Sequence, residues 1–278
     1  HLFGRSFRHG VHPPDSKGLT EHVPIRRMPF PDRLALPLRQ HAGKPARLLV
    51  AKGDRVERGD TIAEADGFVS VPIHASAAGT VADIDWWPHP DGSMAETVLV
   101  DVDPHSPQLP RPRIIPDWQG LTPDEVRAAV QRAGVVGLGG AAFPTHVKLS
   151  PPEEHPIEWL LVNGAECEPY LTTDHRTMVE YPERVWFGVR IMMQCLGVGR
   201  AVIGVEQNKP DAIAALERTQ PEDLDVGVQP LVVKYPQGAE KMLIHVVTGR
   251  KVPSGTLPMP VGTVVQNVGS IATIAAVC

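Results

Sequence analysis

Short apolar runs separated by turn-forming residues fill the stretch 34–103. The runs lie at 48–50, 61–63, 69–73, 80–84 and 98–100. Runs this short, joined by Gly-Asp and Pro-Asp-Gly turns, are typical of a small β structure. We therefore predict a β-rich module over residues 34–103, preceded by an extended N-terminal segment over residues 1–33.

Apolar positions after residue 118 follow helical spacing instead. Thr122 and Glu125 form a capping box with proline at the first helical position, and apolar residues then recur up to Gly134. Further helices are predicted over 185–196, 211–218, 239–247 and 270–277, and strands over 157–162, 201–205 and 228–233. Because strands alternate with helices, we predict a Rossmann-like, mostly parallel α/β domain over residues 119–278, with ligands at the carboxyl ends of its strands.

Proline is the unusual feature of the composition, at 29 of 278 residues. This is about twice the usual ~5%. Five of these prolines lie between residues 104 and 116, where they block both helix and β ladder. The stretch 104–118 is therefore predicted to be a linker between the β module and the α/β domain.

Charge and hydropathy exclude several classes of protein. The net charge of −5 provides no electrostatic footprint for nucleic acid, and no apolar run is long enough to span a membrane directly. The three cysteines are too few for a disulfide framework, which favours a cytoplasmic setting. The twelve histidines lack a Cys or acid at metal-ligand spacing, so we predict no metal site in this chain.

A glycine-rich segment at 137–148 ends on Lys148. It contains Gly-x-Gly-x-x-Ala, but a helix is predicted before it and prolines follow it, which excludes the dinucleotide fingerprint. Two interpretations remain: a surface turn, or an anion-binding loop in which backbone amides approach a phosphate and Lys148 neutralises it.

The segment 163–169 leaves the carboxyl end of the strand predicted over 157–162. It carries Asn163, Glu166 and Glu168, and it is either a ligand site or a solvated loop. Cys167 lies between the two acids, which disfavour a thiolate, so we interpret it as a small packing residue without a redox role.

Several segments in the same order resemble two related protein families. Segments 137–148, 163–169, 235–240 and 266–268 are similar to the flavin-binding subunit of respiratory complex I. Segments 7–14, 36–43 and 71–75 resemble the C subunit of the Rnf (also Rsx) electron transport complex. Together these resemblances cover essentially the whole chain.

The resemblance implies FMN as cofactor and NADH as the substrate that reduces it. It implies FMN contacts from Gly137, Gly139, Gly140, Lys148, Asn163, Glu166, Tyr235, Gly238, Gln266 and Asn267. It implies NADH contacts from Phe143, Glu168 and Glu240. No side chain is assigned a catalytic role, because the flavin carries the chemistry.

The resemblance also implies a wider assembly. The chain would belong to a peripheral subunit on the cytoplasmic face of the bacterial inner membrane, passing electrons between NAD(H) and iron–sulfur clusters, with ion translocation by partner subunits. The 4Fe–4S clusters would be held by cysteine runs beyond residue 278, since none occurs in this sequence.

Four positions depart from the flavin-subunit pattern: Ala142, Ala165, Cys167 and Ala239. They motivate an alternative function, a structural docking subunit of the same complex with a degenerate flavin pocket.

A third hypothesis concerns the β module, whose Gly-Asp pairs and segment 75–81 resemble the biotinyl/lipoyl barrel-sandwich family. The predicted hairpin tip at 65–71 has no lysine to carry such a group, so we expect a structural module there.

Overall fold

The computed structural model of the chain describes residues 5–109, 118–138 and 140–278. Its front part is the predicted β module, built from two antiparallel sheets. Its strands are β1 (Arg33–Pro37), β2 (Arg47–Leu48), β3 (Arg55–Val56), β4 (Thr61–Glu64), β5 (Ile73–His74), β6 (Gly79–Pro88) and β7 (Met94–Val102). One sheet has the strand order β1-β7-β6-β3 and the other has the order β2-β4-β5.

The β module packs around inward-facing aliphatic residues, among them the fully buried Ile62, Val98 and Val100. The run at 69–73 contributes only Ile73 to a strand, because Pro72 has no N–H to donate to a ladder. The sequence pattern missed β1, which pairs along its length with β7.

The predicted α/β domain is confirmed. Its strands are β8 (Trp159–Gly164), β9 (Ala201–Glu206), β10 (Val226–Leu231) and β11 (Thr263–Asn267). They form a parallel sheet with the order β10-β9-β8-β11. Strand β10 begins two residues earlier than the predicted 228–233, and Val226 at its start pairs with Ala201 at the start of β9. Strand β11 was not predicted.

Helices cover both faces of this sheet. They are α1 (Pro123–Arg132), α2 (Thr145–Lys148), α3 (Thr173–Glu180), α4 (Pro182–Leu196), α5 (Pro210–Thr219), α6 (Glu240–Thr248) and α7 (Val268–Val277). Alternate residues of β8 face opposite cores: Leu160 and Val162 pack with the larger helical layer, and Leu161 packs with α6. The predicted capping box is confirmed, since the Thr122 hydroxyl accepts from the Glu125 amide and the Glu125 carboxylate accepts from the Thr122 amide.

The hairpin tip of the β module rests on the α/β domain. The Phe68 ring meets the His146 ring edge-on at 5.7 Å, and the Phe68 carbonyl accepts a 2.7 Å hydrogen bond from His146 Nε2. Burial lowers the pKa of His146. The tip that carries a lysine in biotinyl and lipoyl carriers is thus a packing surface in this chain.

The N-terminal segment also lies against the α/β domain. Arg5 forms a parallel bridge with Leu231 at the end of β10, and Val11 pairs with Tyr235. Residues 110–117 of the predicted linker and Gly139 lie outside the described residues. The domain boundaries at 33/34, 103/104 and 118/119 stay predictions.

Candidate functional site

Polar side chains converge where β8 and β11 end. The parallel register pairs Asn163 with Asn267, so polar residues at the carboxyl ends of two neighbouring strands stand side by side. The Asn163 Nδ2 donates to the Gly238 carbonyl at 2.8 Å, and its Oδ1 accepts from the Ala165 amide at 3.1 Å. Asn267 Oδ1 caps α7 by accepting from the Gly269 and Ser270 amides. This edge is where ligands bind in open parallel sheets.

The glycine-rich segment folds over this edge. The Gly137 amide donates to the Phe143 carbonyl at 2.8 Å and closes the loop, and the Leu138 amide donates to Ser270 Oγ at 2.8 Å. The loop is therefore fastened to the first turn of α7. Ala142, which replaces a glycine of the flavin-subunit pattern, has a φ of 49°. A left-handed conformation favours glycine, so alanine at this position strains the loop.

A cavity of about 470 Å³ lies between this loop and the sheet edge, and we call it the glycine-loop cavity. Its volume is within the range of ordinary small-molecule sites. Ten of the thirteen predicted ligand contacts line it: Gly137, Gly140, Phe143, Lys148, Asn163, Glu168, Tyr235, Gly238, Glu240 and Asn267. Residues that are far apart in the sequence are thus brought together around one space.

Lys148 provides the positive charge in this cavity. Its Nζ donates to the Val265 carbonyl at 2.8 Å and lies 3.5 Å from a Glu240 carboxylate oxygen. The ammonium group is anchored by β11 and by the start of α6, with Glu168 as a second acid in the lining. An anionic group bound in this cavity would be near the Lys148 ammonium group and near the carboxylates of Glu168 and Glu240.

A second cavity of about 460 Å³ adjoins the first and shares Asn163, Glu168, Gly238 and Asn267 with it. We call it the α7 cavity, because Gly269, Ala272, Thr273 and Ala276 of α7 line it. Glu166 lies here and not in the glycine-loop cavity. Its carboxylate accepts from the Asp174 amide at 2.7 Å and the His175 amide at 3.2 Å, so it caps the N-terminus of α3.

Asp174 stands at the wall of the α7 cavity beside Asn267. Its carboxylate accepts a 2.6 Å hydrogen bond from Asn267 Nδ2. Burial, and then the negative charge of Glu166, raise the pKa of Asp174 to about 7. This carboxyl group therefore changes charge near neutral pH, next to an amide that lines both cavities.

Gln266 lines neither of these cavities. Its side chain is fully buried, and its Nε2 donates to Thr145 Oγ1 at 3.0 Å. Because strand residues alternate in direction, Gln266 faces away from its neighbour Asn267 and supports α2. Gly139, the remaining predicted contact, lies outside the described residues.

Cys167 lines the glycine-loop cavity, where its Sγ accepts from the Gly238 amide at 3.3 Å. Burial raises the pKa of this thiol, which agrees with its interpretation as a packing residue.

An apolar wall of the glycine-loop cavity was missed by the sequence reasoning. It consists of Leu138, Ala141, Leu257, Pro258 and Met259. Pro253, Pro258 and Pro260 indicate a loop in this stretch of the sequence, but no periodicity places that loop beside the glycine-rich segment.

Among residues 5–109, 118–138 and 140–278, no group of three His, Cys, Asp or Glu side chains is arranged to hold a metal ion. No helix within the same residues is long and apolar enough to cross a bilayer.

Both parts of the chain match known protein families. The chain belongs to the family of the Nuo51 FMN-binding domain, whose model matches residues 130–276. The model of the RnfC barrel sandwich hybrid domain matches residues 5–105. The first match spans the glycine-loop cavity, and the second spans the β module.

Two similar proteins align with 97% of the chain. One is the C subunit of the proton-translocating ferredoxin:NAD(+) oxidoreductase complex of Clostridium ljungdahlii, which is 47% identical over 270 residues. The other is the C subunit of the Na(+)-translocating ferredoxin:NAD(+) oxidoreductase complex of Acetobacterium woodii, at 43% identity. The chain spans 59% and 61% of these two proteins. The predicted resemblance to the C subunit of Rnf complexes is confirmed.

A solved structure is also similar. A chain of an NAD+-reducing NiFe hydrogenase in its air-oxidized state matches with a TM-score of 0.50 and 29% identity. The match covers 58% of this chain and 31% of the hydrogenase chain.

Proposed function

We propose that this chain binds FMN in the glycine-loop cavity and oxidises NADH there, as part of the C subunit of an Rnf-type electron transport complex. The observation that carries the proposal is the convergence of ten predicted ligand contacts on one cavity at the carboxyl edge of the sheet. The match to the Nuo51 FMN-binding domain over residues 130–276 supports it.

The residues of the cavity fit the three chemical parts of FMN. Lys148 supplies a cation for the phosphate, and the amides of Asn163 and Asn267 can bond ribityl hydroxyls. The apolar wall that includes Leu257 and Met259 suits the flat ring. Gly238 also lines the cavity, where it packs beside Cys167 and Ala165, since a Cβ built there would stand 3.4 Å from Cys167 Sγ and 3.5 Å from the Ala165 Cβ.

Bound FMN would take up a hydride from NADH and release two electrons singly. The protein's part is to bind, orient and exclude water. Phe143 provides a half-buried aromatic surface at the loop for the nicotinamide, and Glu168 and Glu240 provide acceptors for its carboxamide or ribose hydroxyls. No side chain needs to act as a general acid or base.

The similarity to the C subunits from Clostridium ljungdahlii and Acetobacterium woodii supports a role for the chain in a larger complex. We propose that the chain acts with other subunits of a membrane complex, held peripherally at the cytoplasmic face of the bacterial inner membrane. Electrons would leave through 4Fe–4S clusters outside this sequence and pass between NAD(H) and ferredoxin. Partner subunits would couple this transfer to ion translocation.

The direct test is reconstitution of the 278-residue chain with FMN, followed by gel filtration. The proposal expects a yellow protein that retains a single equivalent of FMN. A chain that elutes without flavin, although folded by circular dichroism, would contradict it. That result would favour the docking subunit with a degenerate pocket, which the substitutions Ala142, Ala165 and Ala239 motivate.

Replacing Gly238 with valine should block the FMN site without unfolding the domain. A Cβ at this position makes only ordinary contacts, and because Gly238 lines the cavity, the larger valine side chain is expected to reduce the space for FMN. We expect the dissociation constant for FMN to rise about tenfold or more, measured by flavin fluorescence. Gly227→Val is the matched control, since Gly227 is exposed on β10 with no atom within 4 Å of a built Cβ. Unchanged FMN affinity in Gly238→Val would argue against this placement of the ligand.

A further inference from the structure

The loop at 165–171, which follows β8, lines both cavities and carries backbone strain. Two of its non-glycine residues have left-handed backbones, Glu166 at a φ of 36° and Tyr170 at a φ of 68°. Such conformations persist only where surrounding contacts enforce them. The loop also presents Glu168 to both cavities. The contacts that hold the loop in this shape therefore also hold residues that line both cavities.

One set of these contacts comes from a distant part of the chain. Lys17 of the N-terminal segment is only 2% exposed. Its Nζ donates to the carbonyls of Glu166 at 3.1 Å and Glu168 at 2.9 Å, and also to the Leu171 carbonyl. All three protons of the ammonium group are thereby directed at one loop.

Neighbouring residues of the same segment extend this attachment. The Tyr170 amide donates to the Asp15 carbonyl at 2.8 Å. The Thr172 hydroxyl bonds the Thr20 hydroxyl at 2.8 Å. Residues 15–20 thus contact the loop at both of its ends and along its length.

The buried ammonium group is held at an energetic cost. Burial, and then the positive charge of Lys209, lower the pKa of Lys17, while the carboxylates of Glu166, Glu206 and Asp15 oppose that change. Burying a charged ammonium group costs free energy unless hydrogen-bond acceptors surround it. Its presence indicates that the three carbonyls are arranged around it.

We propose that Lys17 is a positioning residue of the cofactor site, which holds the loop at 165–171 in the shape that directs Glu168 toward NADH. The inference rests on the proposed function for its ligand, although the attachment itself can be measured without ligand. It assigns the N-terminal segment, outside the region matched by the FMN-domain model, a part in building the site.

The test compares the parent chain with Lys17→Met, which keeps length and apolar volume but removes the three donors. Lys44→Met is the matched control, since Lys44 is exposed and its Nζ pairs at 2.7 Å with Asp66. Hydrogen exchange of peptides covering 165–172 is measured first, without flavin. We expect exchange there to rise about tenfold in Lys17→Met only. Thr20→Val, which removes one peripheral bond, provides a milder second variant if Lys17→Met does not fold.

The second readout is steady-state NADH oxidation at saturating FMN, with ferricyanide as acceptor. We expect Lys17→Met to raise KM for NADH about fivefold with kcat within about twofold, a split that loss of stability alone would not produce. If the parent binds FMN, unchanged loop exchange or an unchanged KM for NADH in Lys17→Met would overturn the role of Lys17. A parent that binds no FMN would contradict the proposed function instead, and loop exchange would then decide whether the attachment exists.

Discussion

Replacing Lys148 with methionine is expected to weaken FMN binding about 100-fold, because a hydrogen bond to a charged group is worth about 1.5–3 kcal/mol. Methionine preserves the length and the apolar stem of the side chain. It removes only the ammonium group that the Val265 carbonyl and Glu240 hold in the glycine-loop cavity. The affinity is measured by titrating FMN and following the quenching of its fluorescence. Lys52→Met, an exposed lysine paired with Asp83, is the control and should bind FMN as the parent does.

Riboflavin separates the role of Lys148 from a general disturbance of the site. Riboflavin lacks the phosphate, so its affinity should be nearly the same in the parent and in Lys148→Met. An equal loss for FMN and riboflavin would mean that Lys148 supports the loop and does not bind phosphate. No loss for either ligand would contradict the placement of the phosphate beside Lys148.

Replacing Asp174 with asparagine is expected to remove a pH-dependent loss of stability. Burial and Glu166 raise the pKa of Asp174 to about 7 in the folded chain, above its ordinary value. Between the ordinary pKa of the unfolded chain and the raised pKa of the folded chain, the folded state therefore binds more protons than the unfolded state. The free energy of unfolding falls as the pH rises through this range. Asparagine keeps an acceptor for Asn267 Nδ2 but does not ionise.

The free energy of unfolding should show this difference directly. Relative to the parent, Asp174→Asn should gain about 2–3 kcal/mol between about pH 5 and pH 8. Urea unfolding at several pH values measures it, and the comparison with the parent cancels the titrating groups that do not interact with Asp174. A constant difference across this range, or one that shrinks as the pH rises, would contradict the raised pKa of Asp174.

The sequence predicted those elements that carry a strong local signal. The capping box at Thr122 placed the start of α1 because its bonds lie within four residues. Strand β11 was missed because it runs into α7 at Asn267 with no turn residue between them. Helix α3 was missed because its short polar sequence has little apolar periodicity, and the capping role of Glu166 was hidden with it.

Identifying the candidate site required both the resemblance to known families and the tertiary structure. Motifs identified most lining residues, but neighbouring positions on one strand take different roles, as Gln266 and Asn267 do on β11. Spacing could not place Lys17 beside a loop about 150 positions later. Such contacts depend on how the N-terminal segment crosses the sheet edge, and no local pattern records that path.

The most direct test of the account is the visible spectrum of the FMN-loaded chain when NADH is added without oxygen. We expect the absorption band of oxidised flavin to disappear on addition of NADH and to return when ferricyanide is added. A chain that retains FMN but keeps this band unchanged in the presence of NADH would contradict the proposed NADH oxidation at the glycine-loop cavity.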